Sequence, residues 1–209
     1  MADAAQSVGK VFVRVDELQV DLLTVAGHKL YAPKGIGALY IRKGINIEPI
    51  IHGADHEQGR RAGTENVAGI AGLGKACEMA QELLPGYMRS LTGLRDCFLK
   101  LLREGAGVTL NGHHTERLPN TLNVSFWGIN GVELLASVPE IAASTGAACH
   151  SGAQTTSPVL AAMGLEPERS HGAVRLSLGR WTTKEEVERA TQLLIRQATN
   201  LRKNNMNCS

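Results

Sequence analysis

The run Val20-Asp21-Leu22-Leu23-Thr24-Val25-Ala26 stops abruptly at Gly27-His28-Lys29, and that ending constrains the chain more than any other feature. An apolar stretch of this length closed by glycine reads as a buried strand. A second strand is expected over Gly37 to Arg42, entered through the Pro33-Lys34-Gly35 turn. Long helical periodicity then takes over from Val67, so the chain falls in the α/β class. In open α/β sheets, ligand chemistry gathers at the carboxyl ends of strands, which is where Lys29 stands. A partly desolvated lysine there becomes a usable amine nucleophile. On its own, the position favours an ordinary surface lysine whose stem snorkels along the strand end.

Two further segments change that balance. The chain opens Met1-Ala2-Asp3-Ala4-Ala5-Gln6, which puts a carboxylate and an amide upstream of the lysine strand. Pyridoxal 5'-phosphate (PLP) forms a Schiff base with a lysine, needs a carboxylate beside its pyridine nitrogen, and takes a donor on its phenolate oxygen. Lys29, Asp3 and Gln6 are the residue types for those three tasks. The second segment is Ala143-Ser-Thr-Gly-Ala-Ala-Cys149-His-Ser-Gly152, one cysteine among small residues. An uncrowded stretch suits a nucleophile that must travel, although a free cysteine is ordinarily a small buried hydrophobe.

These residues resemble the cysteine desulfurases, and nearly as well the selenocysteine lyases. Both belong to the PLP fold-type I group with the class V aminotransferases. The resemblance is carried by Asp3-Ala-Ala-Gln-Ser-Val-Gly-Lys10, Ala26-Gly-His-Lys-Leu-Tyr-Ala-Pro-Lys-Gly-Ile-Gly-Ala-Leu-Tyr40, Arg60-Arg-Ala-Gly-Thr-Glu-Asn66, Leu118-Pro-Asn-Thr-Leu-Asn-Val-Ser-Phe126 and Val174-Arg-Leu-Ser-Leu-Gly-Arg180. It runs from Asp3 to about Arg202. It implies Lys29 as the Schiff-base lysine and His28 as its neighbour at the cofactor phosphate. It implies Asp3 at the pyridine nitrogen and Gln6 at the phenolate oxygen. Thr64 is then the threonine that reaches a phosphate in the other subunit of a homodimer. Arg175 holds the substrate carboxylate with its bidentate fork, and Cys149 takes the sulfur and leaves as a persulfide.

The implied reaction cleaves the C–S bond of L-cysteine, with sulfur passed on to an acceptor protein for iron–sulfur or thio-cofactor synthesis. The close variant acts on L-selenocysteine and hands on selenium. Ala-Pro-Lys-Gly-Ile-Gly and Arg-Arg-Ala-Gly-Thr-Glu-Asn favour the desulfurase branch. A thiol of ordinary pKa, about 8.5, is only slightly ionised at neutral pH, so Cys149 needs help, and His150 is adjacent in sequence.

There are two departures from the family. Ala26 stands where many desulfurases carry a serine that binds the phosphate, which removes about 1 kcal/mol of cofactor binding. Family members are also much longer, with a further half upstream of Asp3. The chain is therefore expected to be a C-terminal half, a remnant of the large mixed-sheet domain followed by a small α+β domain. An inactive chain that only dimerises or binds partners is the alternative. Missing half a domain would leave apolar faces uncovered.

Composition narrows the remaining classes. A net charge of +2 and 4% aromatic residues disfavour nucleic acid as a partner. Four cysteines in 209 residues, Cys77, Cys97, Cys149 and Cys208, do not make a disulfide framework. Cys77 and Cys97 fall in helical patterns and are expected in the core. No apolar run approaches a membrane span and no signal peptide opens the chain, so a cytoplasmic protein is expected, an upstream targeting segment being the reservation. His113-His114 and Cys149-His150 lack metal-ligand spacing, and no metal site is expected. Gly69-Ile-Ala-Gly72-Leu-Gly74 lies in helical periodicity without a preceding strand, and reads as close helix packing rather than a nucleotide loop.

The expected domains are 1–85 and 86–209. A helix from Val67 to Leu83, with Ile70, Leu73, Ala76, Cys77 and Ala80 inward, is broken or bent at Pro85-Gly86 and resumes from Tyr87 to Leu102. The stretch from His52 to Asn66, with Arg60, Arg61 and Thr64, is a polar loop. Strands are expected over Asn120–Trp127 and Ala173–Gly179, a short helix over Gly131–Val138, and an edge over Ile141–Ser144. Thr183-Lys-Glu-Glu186 is a capping box for a last helix that frays after Leu201.

Overall fold

Lys29 follows the middle strand of a small mixed sheet. In the computed structural model, β1 (Ala2–Asp3) runs parallel to β2 (Leu22–Ala26), which pairs antiparallel with β3 (Gly37–Ile41), in the order β1-β2-β3. The register sets Asp3 opposite Thr24 and Ala26 opposite Gly37. A one-turn helix α1 (Val15–Leu18) lies in the connection between β1 and β2. The structure describes residues 1–145 and 157–207; Cys149, His150 and Cys208 lie outside them. Two units emerge, Met1–Tyr87 and Met88–Ser209.

In the first unit, the 52–66 stretch is a loop containing a single turn α2 (His56–Gly59), with Glu57 and Gln58 at positive φ. The long helix α3 (Val67–Ala106) then begins. Its start is capped: the Asn66 side chain accepts from the Gly69 N–H at 3.0 Å, satisfying an orphan donor of the first turn. Inside the first unit α3 buries Leu73, Ala76, Ala80 and Leu84, a stripe spaced three, four and four residues. Ile70 is 45% exposed and Cys77 is exposed, against the expectation that both face inward. Both lie off that stripe, on flanks that nothing among the described residues covers.

Of the two outcomes expected at Pro85, a break or a bend, the break does not occur, and α3 is continuous through it. Proline there removes one hydrogen bond, to the carbonyl of Gln81, at about 3 kcal/mol. Pro85 and Gln81 are both exposed, which leaves the freed carbonyl open to water, while Leu84 and Leu91 on either side are buried.

In the second unit, β4 (Thr109–Leu110), β5 (Thr121–Ser125) and β6 (Ala173–Ser177) form an antiparallel sheet in that order. Leu122 and Val124 on the central strand are completely buried, as are Leu102 of α3, Val174 of β6 and Leu134 of α4 (Gly131–Ala136). Asn130 caps α4, its side chain accepting from the Val132 and Glu133 N–H groups. Helices α5 (Pro158–Ala162) and α6 (Pro167–His171) each open with proline, where its missing N–H costs nothing. The expected edge over Ile141–Ser144 reduces to one bridge, Ser144 to Arg175.

The last helix, α7 (Lys184–Asn207), opens on the expected capping box. Thr183 N donates to Glu186 Oε2 at 2.9 Å and Glu186 N to Thr183 Oγ1 at 3.2 Å. It does not fray after Leu201. Arg202 donates to the carbonyls of Ala106 (2.9 Å) and Trp127 (3.2 Å), and Asn205 to that of Gly128 (3.2 Å). These bonds tie down its last turns and also satisfy the terminal carbonyl of α3.

Candidate active site

Asp3 ends β1, and its carboxylate is held from two sides. Its Oδ1 accepts from the Thr24 hydroxyl at 2.6 Å and from the Ala5 N–H at 3.0 Å. The Thr24 bond, then the Ala5 bond, hold this carboxyl below the usual aspartate range, because both favour the charged form. Asp3 is therefore ionised at neutral pH. Its Oδ2 has no hydrogen-bond partner among the described residues. Gln6 follows in the next turn with its side chain exposed.

Beyond β2 the chain enters a 3-10 turn, Gly27–Leu30. Gly27 is buried and its N–H donates to the Ile36 carbonyl at 3.0 Å. A Cβ at Gly27 would sit 2.6 Å from that same oxygen, so only glycine permits the approach. Tyr31, at φ 67, ends the turn. Leu30 points inward, 3% exposed, into a cluster with Leu73 and Ala76. His28 and Lys29 are exposed, so the partial desolvation expected for Lys29 is not found. The Lys29 carbonyl accepts from Lys10 Nζ at 2.9 Å. Asp3 at the end of β1 and the His28–Lys29 pair just after β2 thus lie at the carboxyl ends of neighbouring parallel strands, the expected end of a sheet for ligand chemistry.

Thr64 is exposed in the loop before α3. Arg60 and Arg61 in that loop bond to Gln58 Oε1 and the Ala62 carbonyl. Asp3, Gln6, His28, Lys29 and Thr64 therefore all belong to the first unit. Arg175 belongs to the second. It lies on β6 opposite Asn123, half-buried between the fully enclosed Val174 and Leu176. Its backbone exchanges both bonds with Ser144, at 2.6 and 3.2 Å. This is the alternation expected of it, with the arginine on the face opposite the apolar one.

Three supporting residues escaped the sequence reading. Thr24 orients Asp3, Lys10 holds Lys29, and Asn66 caps α3. Asn66 carried a signal, being a capping residue type just before an apolar periodic run. Thr24 and Lys10 carried none, because their partners are set by strand register and a turn. Among the described residues, no group of three or more His, Cys, Asp or Glu side chains could hold a metal. No helix among them is long and apolar enough to cross a membrane.

The chain is similar to known proteins over nearly its whole length. Residues 1–190 match the aminotransferase class-V family model. The chain is 46% identical to the "Cysteine desulfurase IscS" of Dictyoglomus turgidum, over 96% of this chain and 52% of that protein. It is 47% identical to the protein of the same name from Methanosarcina thermophila, over 92% and 48%. Among solved structures, a "NifS-like protein" superposes with a TM-score of 0.85 at 36% identity, over 94% of this chain and 51% of that one. A NifS-like protein from Rickettsia africae gives 0.83 at 26% identity. The chain spans about half the length of the curated relatives it matches, and its fold is that half of a PLP fold-type I enzyme. With an ionised aspartate and a lysine at the carboxyl ends of neighbouring parallel strands, and a family match over nearly its whole length, the chain belongs to the class-V aminotransferase family, whose cofactor is PLP.

Proposed function

We propose that this chain carries the lysine-bearing half of a PLP-dependent cysteine desulfurase. The observation that carries the reading is the Asp3–Thr24 pair beside the Gly27–Leu30 turn. One carboxylate oxygen is fixed by two donors and the other is open to a protonated ring nitrogen, in the same unit as an exposed lysine amine. The residues fit the cofactor, which supplies an electron sink when bound. Asp3 would keep the pyridine nitrogen protonated, and Gln6 would donate to the phenolate oxygen. His28 and, from the other subunit of a homodimer, Thr64 would meet the phosphate. Residues 1–85 are on this reading the last part of a large PLP-binding domain, and 86–209 the small domain.

The Lys29 amine, once free, is the group to take and return the substrate α-proton. Arg175 presents a planar fork suited to the substrate carboxylate. The Cys149 thiolate attacks the substrate sulfur, so that L-cysteine and one enzyme thiol become L-alanine and one enzyme persulfide, with no external oxidant or reductant. An acceptor protein then takes the persulfide sulfur. Free thiols at Cys77 and Cys97 suit a reducing compartment such as the cytoplasm.

The test is an absorption spectrum of the chain with PLP, before and after borohydride reduction, with peptide mapping. The expected result is a covalent adduct on Lys29, lost in Lys29→Ala. Alanine release from L-cysteine, assayed beside L-selenocysteine, then fixes the substrate. No adduct at Lys29 sinks the reading, and turnover of selenocysteine alone reassigns the substrate.

A further inference from the structure

Lys10 is a cation with a place in the fold but no role in the reaction above. It sits at the end of the turn after β1, where the Ser7 carbonyl accepts from both Lys10 N and Val11 N at 3.0 Å. Its stem is half-buried, and its Nζ reaches the Lys29 carbonyl at 2.9 Å. We propose that Lys10 is a positioning residue for Lys29, its ammonium gripping the Lys29 carbonyl and so fixing the backbone from which the Lys29 amine projects. The proposal rests on the reading of Lys29 as the cofactor amine.

Three observations carry it. The first is that the grip is built rather than incidental. Gly9, directly before Lys10, has φ +75, and a Cβ there would stand 2.7 Å from Leu30 Cδ2 and 3.4 Å from Ala80 Cβ. Glycine thus lets the turn lie against Leu30, the residue after Lys29, while Val8 packs on the Leu30 cluster. The second is that the turn bearing Lys29 is weak by itself. It is four residues of 3-10 helix, whose hydrogen-bond geometry is poor. Its closing bonds, from Tyr31 N and Ala32 N, both go to the Gly27 carbonyl. The Lys29 carbonyl has only Lys10 among the described residues. The third is that a single short segment, Asp3 to Lys10, delivers the carboxylate at one end and the clamp at the other. Both site groups are thereby set against one another through the same piece of backbone. Burial, then the charge of Lys29, push the Lys10 ammonium below the usual lysine range, which agrees with a side chain drawn out of solvent towards the other lysine.

The experiment compares the full chain with Lys10→Met, which keeps the stem and loses the donor, and with Lys10→Arg, which keeps the charge and the donor. One readout needs no cofactor, namely the ¹³C resonance of the Lys29 carbonyl together with amide exchange of Ala32. The other is the rate at which PLP is fixed on Lys29 by borohydride. The methionine variant should shift the carbonyl resonance and slow fixation by about tenfold, the effect of losing one hydrogen bond to a charged group. The arginine variant should restore both. An unmoved carbonyl resonance, or equal fixation rates in the parent and the methionine variant, overturns the proposal. If the parent itself is never fixed at Lys29, the cofactor reading fails, and the carbonyl resonance alone decides whether Lys10 holds the turn. Should the methionine variant fail to fold, Lys10→Gln, too short to bridge, is read in the same way.

Discussion

The two units are stabilised differently. In the second, Phe126, Leu102, Leu122, Leu134 and Leu194 are 1% exposed or less, and a central strand runs through them. In the first, no large side chain reaches that degree of burial among the described residues. Its cluster is Leu30, Leu73 and Ala76, with Val8, Val25, Ala32 and Ile36 packed around it. Phe12 is 60% exposed, Ile50 94% and Val67 72%. The candidate cofactor residues all sit in this thinner unit, held by turns, a glycine contact and a few directed hydrogen bonds. The lesson is that position in the first unit comes from backbone ties, whereas in the second it comes from packing.

The largest effect should come from Lys29→Ala, which leaves the fold intact because the side chain is exposed and abolishes the borohydride-fixed adduct. A surviving adduct on a lysine of the second unit would break the assignment of the first unit as the cofactor unit. Next come paired core deletions. Phe126→Ala should cost about 3–5 kcal/mol, and Leu30→Ala nearer the lower end of the range for leucine, about 2 kcal/mol. The cluster around Leu30 is small, so it loses less packing. Denaturant melts of the two variants measure the difference, and equal losses would mean that the first unit has a core as effective as the second. Thr183→Ala removes one half of the α7 capping box and should lower stability by about 1 kcal/mol. Hydrogen exchange should place that loss in the second unit alone.

The smallest effect is electrostatic. The Asp3 carboxyl is depressed in the folded chain by Thr24 and then by Ala5. Its two hydrogen bonds therefore favour the fold fully above the unfolded pKa, and that contribution is lost as pH falls through the folded value. A carboxyl titration followed by NMR should show the Asp3 midpoint rising in Thr24→Val. An unchanged midpoint would show that the Thr24 hydroxyl does not orient the carboxylate.

Much of this was legible beforehand, for identifiable reasons. The strand into Gly27-His28-Lys29, the alternation around Arg175 and the Thr183–Glu186 box are local patterns, and each appears where periodicity or capping chemistry put it. The misreadings share one cause, which is that the missing information is not local. Pro85 suggested a broken or bent helix, and the break is absent because exposed positions leave the freed carbonyl open to water while buried leucines hold both sides. Arg202 opened what looked like a polar tail, yet two distant carbonyls capture it. Cys77 matched an apolar face that the packed stripe does not include.

The sequence by itself determined the family, the longer strands and helices, and which residue types could meet a cofactor, since periodicity, glycine placement and motif spacing are properties of the chain alone. Only the tertiary structure decided that Thr24 faces Asp3, that Lys10 closes on the Lys29 carbonyl, and that α7 is tied to the end of α3. Each of these contacts joins residues separated by 19 positions or more. Strand register and turn geometry bring such groups within hydrogen-bonding distance, and neither can be read from residues taken one neighbourhood at a time.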